Sequence, residues 1–327
     1  MYRLVSRVEH LHQALRVLIF MQCFALIAVG CAKATESNWS LATIQGSAEL
    51  RCVNVSPDGL VAATGNKQGE VEIWDLKAKK CLKKWTAHPR GVQSIAYSPG
   101  GTRLASEGQD RTIAIWDTTT FNELCRIKDP SGSEVLGEPL FQNSRIAFDV
   151  SGKKLAGFGW FWDCPSGTQL ERYGTRGPVV CVGNVLASEC RKGFQVLDLK
   201  KAKSLLTQKE DALQCLAISP DGKQLAFGRA TYGVGAKVIE LSAPFNERTI
   251  PSVKSWAFSI AYSNDSKYFA ISEKKVGIAI FDSESLALID SIASPKTNNS
   301  CISFSPDGSY LTGVGENNDL RIWARRK

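Results

Sequence analysis

The chain has 327 residues, of which 43% are apolar and 22% charged, with eight tryptophans and three histidines. That composition supplies ample core material and excludes a disordered, collagenous or multi-span membrane protein. Lys and Arg number 40 against 32 Asp and Glu, a net of +8. Beyond residue 31 the balance is 37 against 31, an excess of +6 that is too weak to argue for nucleic acid by itself.

The N-terminus reads as an export signal. Residues 1–16 carry a net +2 from Arg3, Arg7 and Arg16 against Glu9, and Val17–Gly30 is a 14-residue run without a charge. That run is short for a membrane span and close to the length of a signal-peptide apolar region. Two processing sites compete. Ala32-Lys33-Ala34 is an A-x-A site. Ala28-Val29-Gly30-Cys31 is similar to a bacterial lipobox, in which Cys31 becomes the lipidated first residue. Residues 1–34 are therefore expected to be a signal peptide or lipoprotein signal. Residues 35–327 are expected to form one exported domain, periplasmic or envelope-anchored.

Eight cysteines lie beyond Cys31: Cys52, Cys81, Cys125, Cys164, Cys181, Cys190, Cys215 and Cys301. None forms a C-x-x-C pair, and no Cys/His spacing matches a zinc site. Export leaves disulfides open without fixing their connectivity. Buried thiols within strands are the plainer expectation. Cys52, Cys215 and Cys301 each sit five residues before a turn proline, a place held by Ser94 and Ser259 in other units. Small side chains there suit strands crowded around an axis. A Cys52–Cys301 bridge between the first and last units is a further option.

A repeat of about 42 residues runs from residue 50 onward. Val55-Ser56-Pro57-Asp58-Gly59 recurs as Tyr97-Ser98-Pro99-Gly100-Gly101, Ile218-Ser219-Pro220-Asp221-Gly222 and Phe304-Ser305-Pro306-Asp307-Gly308. Phe148–Gly152 and Tyr262–Ser266 are degenerate copies. After each turn comes an apolar anchor, and the series Val61, Leu104, Leu155, Leu186, Leu225, Phe269 and Leu311 is spaced by 43, 51, 31, 39, 44 and 42 residues. Large and small residues alternate before the turn, as in Cys301-Ile302-Ser303-Phe304, which is strand periodicity. The proline presets φ and the glycine accepts positive φ, so the turn is tight. A second strand and a polar turn follow. A third strand then ends in Trp74-Asp75, Trp116-Asp117, Trp162-Asp163 or Phe281-Asp282, and a fourth (Cys81–Trp85, Leu124–Ile127) leads to the next unit.

Four strands per unit with Trp-Asp closing the third resembles the WD-repeat β-propeller family, here of an exported bacterial type. The resemblance covers residues 38–327. It implies an all-β fold: a seven-bladed propeller of four-stranded antiparallel blades. The chain stops after the third strand of the seventh unit, so Asn38–Ile44 is expected to supply the missing outer strand and close the ring, as is usual in the family. The family also implies a buried network of His, Ser/Thr, Asp and Trp. Only the second unit matches it in full, with His88, Ser106, Asp110 and Trp116.

His88 is the only histidine beyond residue 34, so a Ser–His–Asp or Cys–His triad cannot be assembled without it. No catalytic, cofactor or metal site is predicted. Gly233-Val234-Gly235 lacks the third glycine of a nucleotide-binding loop and reads as a flexible turn. Asp58, Asp221 and Asp307 each read as turn formers. Function is expected on the loop face, from Lys67, Arg90, Arg111, Arg176, Arg191, Lys192, Arg229, Tyr232, Lys254, Trp256, Lys274 and Lys296, with Asp129–Pro139 as a long contact loop. Arg and aromatic side chains are the usual anchors of binding hot spots. The reading is a non-enzymatic, monomeric scaffold that binds a protein or peptide, with no cofactor and no nucleic acid, and touching membrane only through Cys31. The rival is a propeller enzyme or small-ligand binder using the channel mouth. Attachment to an anionic envelope polymer is a third option.

Overall fold

Each repeat folds into one antiparallel sheet of four strands, and the fold is a seven-bladed β-propeller. The computed structural model describes residues 39–131, 145–174, 177–190, 193–274, 276–293, 299–315 and 317–326. The predicted signal with Cys31, Asn38, Arg176, Arg191, Lys192, Lys296 and residues 132–139 of the long loop lie outside the described residues. The first blade comprises Leu50–Val55, Val61–Asn66, Glu70–Asp75 and Lys80–Thr86, from the axis outward. The innermost strands contact one another in sequence around the axis, and the last, Asn299–Phe304, contacts the first.

The seventh blade takes its outer strand from the other end of the chain. Trp39–Gln45 pairs antiparallel with Asp319–Arg325, from Trp39 opposite Arg325 to Gln45 opposite Asp319. The alternation of the strand explains its fit. Ala42 and Ile44 are half-buried, while Leu41, Thr43 and Gln45 on the opposite face are exposed. Trp39, at the start of the strand, is buried and packs near Phe304, with ring centroids 6.3 Å apart. Closure pairs the edge of Asp319–Arg325 that would otherwise be open.

Each anchor on a second strand sits opposite the aromatic or large apolar residue of the third. Leu104 pairs with Trp116, Leu155 with Trp162, Phe269 with Phe281 and Leu311 with Trp323. In the first blade the anchor is Ala62, which pairs with Trp74, and not the expected Val61, which pairs with Asp75. Strand alternation decides this: Ala62 is fully buried and Val61 is only half-buried. The shortened third unit is explained by a two-residue hairpin. Phe158 and Gly159 both adopt positive φ (57° and 84°), as a turn of that length demands.

The Ser-Pro-Asp-Gly turns hold themselves. Ser56 Oγ donates to Asp58 Oδ1 (2.5 Å) and accepts from the Val61 amide (3.1 Å), while Asp58 accepts from the Leu60 amide (2.9 Å). The Ser–Asp bond recurs at Ser219–Asp221, Ser263–Asp265 and Ser305–Asp307 (2.6, 2.7 and 2.6 Å). These carboxylates stand in separate blades and shape turns.

All eight described cysteines are free thiols, so the Cys52–Cys301 bridge is not made. Cys301 Sγ instead lies 3.4 Å from both the amide and the carbonyl of Val53, across the junction of the last and first blades. Burial pushes the Cys301 and Cys215 thiols up to about 12, which suits inert packing.

Candidate functional site

The turn between the second and third strands of the second blade carries Asp110, and the strand entry carries His88. The structure brings the four network residues together. Trp116 Nε1 donates to Ser106 Oγ (3.0 Å), Ser106 Oγ lies 2.9 Å from His88 Nε2, and His88 Nδ1 lies 3.1 Å from Asp110 Oδ1. A single direction of donation satisfies the chain: indole to hydroxyl, hydroxyl to Nε2, Nδ1–H to carboxylate. His88 is 1% exposed, and a Cβ on Gly108 would lie 2.4 Å from its Nδ1, so this blade needs glycine there. Burial acts to raise the Asp110 carboxyl, but hydrogen bonds from His88 and Thr112 outweigh it and hold the carboxyl below its ordinary range. Enclosed by its partners, His88 presents no nitrogen to a substrate.

The loop face is a built surface. Turns between second and third strands are hydrogen-bonded to the connections between blades: Gln109 N to Gly91 O (2.8 Å), Ala230 N to Ala212 O (2.8 Å), Lys274 N to Trp256 O (3.0 Å). The candidate cations on it divide into two sets. Lys67 pairs with Glu49 (3.3 Å), Arg111 with Asp129 (3.2 Å) and Arg229 with Glu210 (2.7 Å). Asp129 and Glu210 are almost fully buried, so Arg111 and Arg229 are tied into the fold. Arg90, Lys254 and Lys274 form no ion pair among the described residues. Arg90 and Lys254 are exposed, and Lys274 Nζ sits 3.7 Å from the centre of the Trp256 ring. Tyr232 is 73% exposed, with its ring 6.3 Å from that of Trp256.

The WD40 family model (WD domain, G-beta repeat) matches residues 38–75, 79–117 and 297–324. These segments are similar to WD40 repeats. Mouse (Mus musculus) WD repeat-containing protein 1 is 37% identical over 94 residues, 28% of this chain and 15% of that protein. Autophagy-related protein 16 of Arabidopsis thaliana is 25% identical over 161 residues, 46% of this chain and 31% of that protein. The chain thus covers under a third of the length of these relatives. Among solved structures, the β-propeller domain of Cps50 (Swd1) from Myceliophteria thermophila superposes with a TM-score of 0.69 at 17% identity, covering 88% of this chain and 99% of that one. At that identity the likeness concerns the fold alone.

Two features of this propeller escape the motif reading. The first blade keeps part of the network by other means: Trp74 Nε1 donates to Thr64 Oγ1 (2.8 Å), and Ser47 binds Glu70 (2.7 Å) and Glu72. Arg126, on the outer strand of the second blade, donates to Thr112 Oγ1 (3.1 Å) and covers the Trp116 ring at 6.0 Å. Outer-strand positions vary between units, so no spacing singled it out. Phe258, 6.5 Å from Trp256 between ring centroids, had a signal. It holds a place occupied by Arg51, Gln93, Gln214 and Ser300 in other units, where an aromatic is the odd residue.

Proposed function

We propose that this WD40 propeller is a non-enzymatic scaffold that binds a protein or peptide partner through its loop face. The observation that carries the reading is three cations without a carboxylate partner among the described residues, exposed Arg90 and Lys254 and half-buried Lys274, interleaved with Tyr232 and Trp256 on a surface held by backbone hydrogen bonds. Mechanism on this reading is complementarity of shape and charge, with no bond made or broken. Fold does not determine function; this surface does. The proposal includes export, supported by the charged start and the uncharged run Val17–Gly30, with Cys31 or the Ala34–Thr35 bond as processing site. The test is affinity capture from the host's envelope fraction, with the wild-type chain and the Arg90→Glu/Lys254→Glu/Lys274→Glu variant in parallel. The proposal expects a protein retained by the first and lost by the second. Equal capture by both places the contact elsewhere on the molecule. N-terminal mass analysis of the natural protein distinguishes a lipidated Cys31 from an unlipidated Thr35 start, and an intact Met1 contradicts export.

A further inference from the structure

The loop face is uneven, and its apolar and cationic features converge at one junction. Tyr232 lies in the turn between second and third strands of the fifth blade, and Trp256 lies in the connection to the sixth. Their rings stand 6.3 Å apart, and Phe258 continues the row toward the innermost strand at 6.5 Å from Trp256. Lys274, on the corresponding turn of the sixth blade, roofs the Trp256 ring, and Lys254 is exposed beside the row.

The two segments are joined by their backbones. Gly233 N donates to Lys254 O (2.8 Å) and Gly235 N to Val253 O (2.9 Å). A Cβ on Gly235 would lie 2.0 Å from Ser255 O, so the close approach requires glycine. The Gly233–Gly235 turn, which the residues alone suggest is flexible, is therefore held against the connection. The neighbouring carboxylates are engaged: Glu210 takes Arg229 and Lys237 (2.7 and 3.3 Å), and buried Glu273 accepts from Ser255 Oγ (3.2 Å) with its carboxyl raised by burial. The local surface thus offers aromatic area and two ammonium groups that no carboxylate of the described chain neutralises.

We propose that the junction of the fifth and sixth blades is the principal docking site of the loop face, and that its occupant is an acidic linear segment carrying a large apolar or aromatic side chain. This rests on the loop-face reading above and narrows it. The apolar side chain covers Tyr232 and Trp256, and flanking carboxylates meet Lys254 and Lys274. An aromatic anchor within a charged rim is the arrangement that concentrates binding energy in few residues.

The test uses an array of immobilised nonapeptides, randomised position by position and probed with the full chain. Expected is enrichment of Asp and Glu around a Phe, Tyr, Trp or Leu. In solution the selected peptide should bind about tenfold or more weakly to Tyr232→Ala and to Lys254→Glu, and with a clearly smaller loss, under about threefold, to Arg90→Glu, whose charge lies on the loop face between the first and second blades. Both residues are exposed, so these variants fold, and an unchanged melting temperature verifies it. Enrichment of Lys and Arg, or no preference, overturns the proposal. Loss on Arg90→Glu with wild-type binding by Tyr232→Ala overturns this junction while leaving the loop face standing. Wild-type binding by all three variants removes both.

Discussion

Removing the indole of Trp39 isolates what the N-terminal strand contributes to closing the ring. Trp39 is 9% exposed and belongs to a cluster with Ile280, Ile302, Leu311 and Trp323 at the sixth and seventh blades. Truncating a buried Trp to Ala costs about 3–5 kcal/mol, transfer and cavity together. A domain stabilised by about 5–15 kcal/mol loses a large share of its margin at that cost. At about 2 °C per kcal/mol for a large domain, the melting temperature of Trp39→Ala should fall by roughly 6–10 °C. Leu41→Ala, two residues along the same strand but 58% exposed, should cost within about 0.5 kcal/mol. Calorimetry at one scan rate, with urea unfolding for the free energy, reads both. Equal effects from the two substitutions, or an unchanged Trp39→Ala, would refute the reasoning, because the burial of Trp39 in the latch would then have no energetic content.

His88→Ala should cost about 1–3 kcal/mol by stranding Ser106 and Asp110, and in a double-mutant cycle with Ser106→Ala the losses should be less than additive; additive losses would sink the network. Asp110 has a folded pKa below its unfolded value near 4, so its contribution is present above that value and is lost as pH falls through the folded pKa. Asp110→Asn should therefore flatten the loss of stability below about pH 4, read by urea unfolding at a series of pH values; an unchanged acid limb would contradict the assignment. Arg111→Glu should destabilise by about 1–3 kcal/mol, because it sets a second carboxylate against buried Asp129, and a neutral effect on urea unfolding would show the pair to be dispensable. Native alkylation with mass readout should modify Cys81 first and leave Cys52, Cys215 and Cys301 protected until unfolding; early labelling of Cys301 would place it at the surface.

The blades were legible because their punctuation is chemical. Ser-Pro-Asp-Gly or a variant of it marks the tight turn in six of the seven units, and the Trp-Asp end of the third strand falls opposite a buried anchor, so turn and anchor identify the hairpin together. The anchor of the first blade was misplaced by one residue because Val61 is the larger apolar residue, while register depends on which side of the strand a residue faces. The latch was legible from an arithmetic deficit of one strand, and its described part runs Trp39–Gln45. The site was less legible. Residue type marked Arg111 and Arg229 as candidate contacts, yet their carboxylate partners, Asp129 and Glu210, are 18 and 19 residues away in sequence and meet them only in the fold. Phe258 and Arg126 gain their roles from neighbours on other strands, which no local pattern encodes.

The measurement that bears most directly on the loop face as a binding surface is the association rate of the captured partner as a function of salt. Cations without partners steer encounter, and the Debye length falls to about 8 Å at 0.15 M. For the wild-type chain association should slow markedly between low ionic strength and 0.15 M, while Arg90→Glu/Lys254→Glu/Lys274→Glu should associate at least about tenfold more slowly at low salt. Association that is indifferent to salt, and the same in the variant as in the wild type, would contradict binding through this face.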